Sequence, residues 1–185
     1  MLTTRRAFAV LLTMAAAGGG YAALRAAQTP QRAGDRPAWT EIAWPFAGDQ
    51  WGRGRAFQCA AAACGSGIDL YLRAKIDFCN CASAIDDEEV DRVADFDLIG
   101  GGHAALDAGR PIGVHGMDGR SRRYALVGRS AKARSVLAVA LHDRCDMIVA
   151  TAVVAGDEPA AHENAVIEFL KSEEVRRWAE ATLGL

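Results

Sequence analysis

No single sign of charge dominates this chain: 21 Lys and Arg face 23 Asp and Glu, for a formal net charge of -2 over 185 residues. Proteins that grip nucleic acid without sequence preference carry a basic excess, so that class is set aside, and no nucleic-acid partner is expected. The catalytic signatures are missing as well. There is no strand–turn serine elbow, no HExxH helix and no phosphate loop, because neither a Lys-Ser/Thr pair nor dinucleotide spacing follows the glycines at Gly100–Gly102. His103, His115 and His162 have no partner at metal-ligand spacing, and nothing in the sequence assembles a general acid, a base and an oxyanion site. Internal repeats are absent, and low complexity is confined to the Ala- and Gly-rich start. A non-enzymatic role is therefore the expectation.

What is present begins with the first 27 residues. MLTTRRAFAVLLTMAAAGGGYAALRAA has a charged opening, an apolar middle and a small-residue tail, the three parts of an export signal. The paired Arg5 and Arg6 followed by Phe8 resemble the twin-arginine class of bacterial signals, while a general secretory signal would need the arginines only as positive charge. The resemblance implies the twin-arginine export machinery as a partner and a periplasmic destination. Gly20-Tyr21-Ala22 is the best cleavage match. The apolar run from Ala7 to Leu24 spans only about 18 residues and includes three glycines, marginal for a hydrocarbon core roughly 30 Å thick. Membrane contact is expected only if this leader is retained as an anchor.

Residues 28–38 carry two prolines among polar residues and read as a linker, which leaves 39–185 as a single domain large enough for a real core. Hydrophobic residues at 51% and charged residues at 24% are ordinary for a globular protein. Trp39 to Trp44 suggests a first strand, stopped by Pro45. From Ile68 to Phe78 apolar and polar residues alternate, which predicts a strand with Leu70 and Leu72 inward and Tyr71, Arg73 and Lys75 on a wet face. Asp86 is placed to cap a short acidic helix from Asp87, with Glu89 reaching back and Ile85 stapling to Val90. Gly100 to His103 reads as a turn. Pro111–Val114 and Arg123–Val127 suggest two more strands, and Ser135–His142 with Met147–Val154 a central hairpin around Asp143–Asp146. Stripes at Val166, Phe169, Leu170 and at Val175, Trp178, Ala179 mark C-terminal helix, with Ser172 as a recapping point. The class is α+β: an antiparallel sheet of about five to seven strands, with the acidic helix and the C-terminal helix packed on one face.

Candidate sites fall in three places. Four of the five cysteines, Cys59, Cys64, Cys79 and Cys81, lie in one short segment. In an oxidising compartment they are expected as two disulfides, and bonds between the two ends of the segment would close loops of about 15 to 22 residues, worth about 3 kcal/mol each. The alternative is a thiolate site for zinc, copper or an iron–sulfur cluster, although the C-x2-C knuckles of zinc sites are lacking. Cys145 reads as a small buried side chain. The loop Trp51-Gly52-Arg53-Gly54-Arg55 either binds an anionic group or is a surface loop pinned by its tryptophan. Arg120, Arg122 and Arg123 open a basic run that serves either as a docking patch for an acidic protein or lipid partner or as a solvated strand edge. The reading that results is an exported, disulfide-stabilised accessory or binding protein acting on a periplasmic protein partner whose identity the residues do not specify.

Overall fold

In a computed structural model, residues 38–77, 84–100, 102–127, 134–156 and 160–185 are described. The export-signal residues Arg5, Arg6 and Phe8, Cys79 and Cys81 lie outside them. Ala38–Leu185 is one compact unit. Eight antiparallel strands form one sheet in the order β1-β2-β3-β8-β7-β6-β4, with β5 also on β6. In chain order these are β1 Trp39–Ile42, β2 Arg55–Cys59, β3 Ile68–Lys75, β4 Gly102–Ala105, β5 Arg110–Val114, β6 Met117–Val127, β7 Arg134–Asp143 and β8 Asp146–Ala155. The helices are α1 Ala61–Cys64, α2 Asp87–Val93, α3 Phe96–Ile99, α4 Ala160–Leu170 and α5 Glu173–Leu183. The α+β class and the antiparallel sheet expected from the sequence are what the chain forms.

The central hairpin is β7–β8, turning at Arg144 with φ 53°. β5 and β6 turn through His115 and Gly116, both at positive φ, as a two-residue hairpin between right-twisted strands requires. β6, at 11 residues, is long enough to take β5 along its first half and β4 along its second.

Strand alternation sorts the apolar residues into two cores. Leu70, Leu72, Leu137, Val139, Ile148 and Ala150 point to one face, where Val166, Phe169 and Leu170 of α4 and Val175 and Ala179 of α5 cover them. Val136, Ala138, Ala140, Met147 and Val149 point to the other, under Val90, Val93 and Phe96 of α2 and α3. Ser172 accepts from the Val175 amide at 3.4 Å, the recapping the sequence suggests between α4 and α5. Asp86 likewise caps α2 by accepting from the Glu89 amide at 2.8 Å. The Glu89 side chain instead takes Arg92, so only half of the capping box forms.

Three local expectations change. β2 begins at Arg55, the last residue of the expected surface loop, because Phe57 and Cys59 alternate inward once Arg55–Cys59 has β3 to pair with. Gly102–Ala105 is a strand on β6 rather than a turn, with His103 stacked on Phe96 at 3.7 Å between centroids. The odd-numbered face of β3 is not wet: Trp44 and Phe46 pack edge-on against Tyr71 at 6.0 and 4.8 Å, and the chain after Pro45 lies across Arg73 and Lys75. β3 itself stops at Lys75, leaving Ile76 exposed.

Candidate functional site

The covered end of β3 gathers three of the four buried charged residues among those described, Arg73, Lys75 and Asp95, with Glu163 the fourth. Arg73 and Lys75 project from one face of the strand and are 3% and 6% exposed. Between them sits Asp95, 7% exposed, just before α3; one of its oxygens accepts from Arg73 Nη1 at 3.1 Å and meets Lys75 Nζ at 3.0 Å. Lys75 also donates to the Val93 carbonyl at 2.7 Å, at the end of α2. Ionic groups this far from water cost several kcal/mol each to desolvate, and only mutual pairing with further hydrogen bonds makes the arrangement tolerable.

Over these groups lies the turn Asp49-Gln50-Trp51-Gly52. Gly52 N bonds to the Asp49 carbonyl at 2.9 Å, and Gly52 has φ 72°, a conformation that glycine adopts without strain. The Asp49 carboxylate accepts from the Trp51 amide at 2.8 Å and from Arg73 Nη2, which also donates to the Gly52 carbonyl at 3.2 Å. The Trp51 ring is 5.7 Å from Lys75 Nζ, within cation–π range. Gly54 lets the chain descend onto β3, since a Cβ there would meet the Leu72 carbonyl and come within 2.8 Å of Arg73 Cγ and the Trp44 ring. Burial pushes the Asp49 carboxyl up, but the Trp51 amide and the Arg73 guanidinium outweigh it and hold it below the ordinary aspartate value. Turn, strand and α3 enclose a cleft of about 230 Å³ lined by Asp49, Trp51, Arg73, Lys75, Arg92 and Asp97, among others.

The residues singled out in the sequence divide between this cleft and other tasks. Trp51 lines the cleft, and Arg53 is exposed and not part of its lining. Arg55 points elsewhere, gripping Glu41 side-on at 2.7 and 2.6 Å and Glu174 of α5 at 2.6 Å, so it ties β1, β2 and α5 together. Arg120 pairs with Asp87, Arg122 with Asp91 at 2.8 Å, and Arg123 with Asp107. Arg120 and Arg122 of β6 thus face the acidic helix, and Arg123 is held by Asp107 outside it. Tyr124 adds a bond to Asp91 at 2.6 Å; burial first, and that bond next, push its phenol well above the ordinary range.

Cys59 and Cys64 are bonded to each other, with Cα atoms 6.0 Å apart. The clasp is therefore local to the α1 connection, and bonds from these two cysteines to the far end of the segment are ruled out. It also removes two thiolates from the four-cysteine metal set, and among the described residues no group of His, Cys, Asp and Glu is arranged to hold a metal. Cys145 is itself disulfide-bonded, not a buried thiol. After the clasp, Ser66 Oγ lies 2.9 Å from His162 Nε2, and His162 Nδ1 lies 3.1 Å from the Cys64 carbonyl, fastening the connection to α4.

Sequence reasoning missed Arg73, Lys75, Asp95 and Asp49 as a site. Two cations on the polar side of a strand look solvated until something covers them, and Asp95 is 20 or so residues further along the chain.

Fold and site together define an α+β protein with a charge-floored cleft at one sheet face. No protein-family model and no curated protein matches the chain. Among solved structures it is similar to the solution structure of cyanobacterial PsbP (CyanoP) from Synechocystis sp. PCC 6803, at 11% identity and a TM-score of 0.45, over 71% of this chain and 77% of that one. At that level the match identifies neither a family nor a ligand. No helix among the described residues is long and apolar enough to cross a membrane.

Proposed function

We propose that this is a periplasmic accessory or binding protein, exported by the twin-arginine machinery, stabilised by disulfide bonding, and presenting the cleft beneath Trp51 as its binding seat. The observation that carries the reading is the trio Arg73, Lys75 and Asp95, almost fully withdrawn from water at the floor of a cleft open to solvent. Such a trio is weak as a stabilising device, because apolar residues of similar volume would hold the same face at lower desolvation cost. Pre-oriented charge at the base of an open cleft is what recognition of a polar partner group needs. The leader supports the destination, and the Cys59–Cys64 bond suits an oxidising compartment.

Two measurements test it. Full-length protein with a C-terminal tag should appear in the periplasmic fraction of a Gram-negative host, and an Arg5→Lys/Arg6→Lys variant should stay in the cytoplasm. The small-molecule fraction of periplasmic extract should raise the melting temperature of the mature protein but not of Trp51→Ala. Retention of wild type in the cytoplasm, or equal shifts for both proteins, would overturn the reading.

A further inference from the structure

We infer that the Asp49 carboxylate is a built-in occupant of an anion position on Arg73, and that a compact monocarboxylate ligand displaces it and releases the Trp51 turn; the inference rests on the cleft being a binding seat.

The pairing at Arg73 is lopsided. Asp95 holds Nη1 from below, shared with Lys75 and shut away from water. Asp49 holds Nη2 from the cleft side and is 41% exposed. The adjacent Nε is buried and has no hydrogen-bond partner among the described residues. Nε and Nη2 form the side of a guanidinium that a carboxylate takes with both oxygens, as Glu41 does with Arg55 in this molecule. Asp49 does not reach both, because one of its oxygens is also held by the Trp51 amide within a tight turn. A carboxylate arriving from the cleft without that tether can take both donors and satisfy the orphan Nε.

Exchange leaves no buried charge uncompensated. Arg73 stays paired, and the displaced Asp49, already at the surface, moves into water. The volume of about 230 Å³ suits a molecule of few atoms. The planar fork of Arg73 fits a carboxylate, and Asp97 at the cleft, where Arg92 is already held by Glu89, disfavours a second negative charge, which selects a monocarboxylate over a phosphate dianion. Binding is coupled to movement because Asp49 also fixes the turn: once it leaves Arg73, the turn loses one of its ties to β3, and the Trp51 ring above Lys75 shifts with it.

The test is titration of the mature protein with propionate at constant ionic strength, followed through the Trp51 indole and Arg73 Nε–H resonances by nitrogen–proton NMR, with phosphate and chloride as comparison anions. Both signals should shift saturably with propionate and not with chloride, and phosphate should bind more weakly. An intramolecular competitor masks the site in proportion to its occupancy, so Asp49→Asn should bind propionate about tenfold more tightly, and Arg73→Lys, which lacks the side-on fork, should not bind. Equal affinity in wild type and Asp49→Asn, or shifts spread over the whole surface with all three anions, would overturn the inference. If extract ligands still stabilise wild type but not Trp51→Ala while propionate affinity ignores Asp49, the binding reading stands and this one falls. No stabilisation by extract, with propionate binding as described, keeps the cleft as a carboxylate seat and overturns only the reading that a small molecule of the periplasmic extract fills it.

Discussion

Arg73 donates to Asp95 across 3.1 Å with both side chains almost sealed from solvent, and the same Asp95 oxygen meets Lys75 at 3.0 Å. One carboxylate therefore answers two buried cations. Asp95→Ala takes that counter-ion from Lys75 and leaves Arg73 its pair with Asp49, and the expected loss is about 3–5 kcal/mol. Urea denaturation of the mature protein measures it; a loss under about 1 kcal/mol would mean that water reaches the cations in the folded state.

Acid should loosen the structure late. Asp87 is held below its ordinary value by the Gly109 amide and then Arg120, Glu41 by its bond with Arg55, and Asp49 by the Trp51 amide and Arg73 against the opposing effect of burial. A carboxylate whose folded value is depressed binds its proton more readily when unfolded. Its contribution is complete above the unfolded value of about 4 and is lost as pH falls through the lowered folded one. Melting temperature followed from pH 7 to 2 should hold steady as far as these groups are concerned until about pH 4 and then fall. An onset well above pH 5 would show that these carboxylates do not set the acid sensitivity.

Thr151 sits in β8 with its hydroxyl buried and without a hydrogen-bond partner among the described residues, in line with Val149 and Val153 on the same face. Thr151→Val keeps the shape and removes a desolvated polar group. It should stabilise the protein by about 1 kcal/mol. Thermal and chemical unfolding report the change, and a destabilised variant would show that the hydroxyl finds a partner in solution.

The Cys59–Cys64 bond closes a loop of only a few residues, so its effect on the unfolded chain is small. The chain-entropy relation gives about 2 kcal/mol for the Cys59→Ala/Cys64→Ala variant, less than the longer loops first considered would give. Peptide mapping of unreduced protein should recover Cys59 linked to Cys64. Recovery of either cysteine linked to another position would contradict this pairing.

Much of the scaffold was legible because its signals are local. The β7–β8 hairpin announces itself by two apolar runs around Asp143–Asp146, α2 by Asp86 and its staple, and the α4–α5 break by Ser172. β4 was hidden because Gly102–Ala105 is a strand only by virtue of its partner β6, and β2 because its glycine- and arginine-rich approach resembles a loop. The cysteine cluster was visible, but its pairing depends on how closely α1 brings Cys64 back to Cys59.

Alternation along Ile68–Lys75 determined, from sequence alone, that Leu70 and Leu72 face a core and that Tyr71, Arg73 and Lys75 share the opposite side. Whether that side meets water is decided by residues far from it in the chain. Trp44, Phe46 and the Asp49–Gly52 turn arrive from before the strand and Asp95 from after it, and together they turn two solvated cations into the floor of a cleft. A strand's period records which residues lie on the same face; burial records what packs there, and that is a property of the tertiary fold.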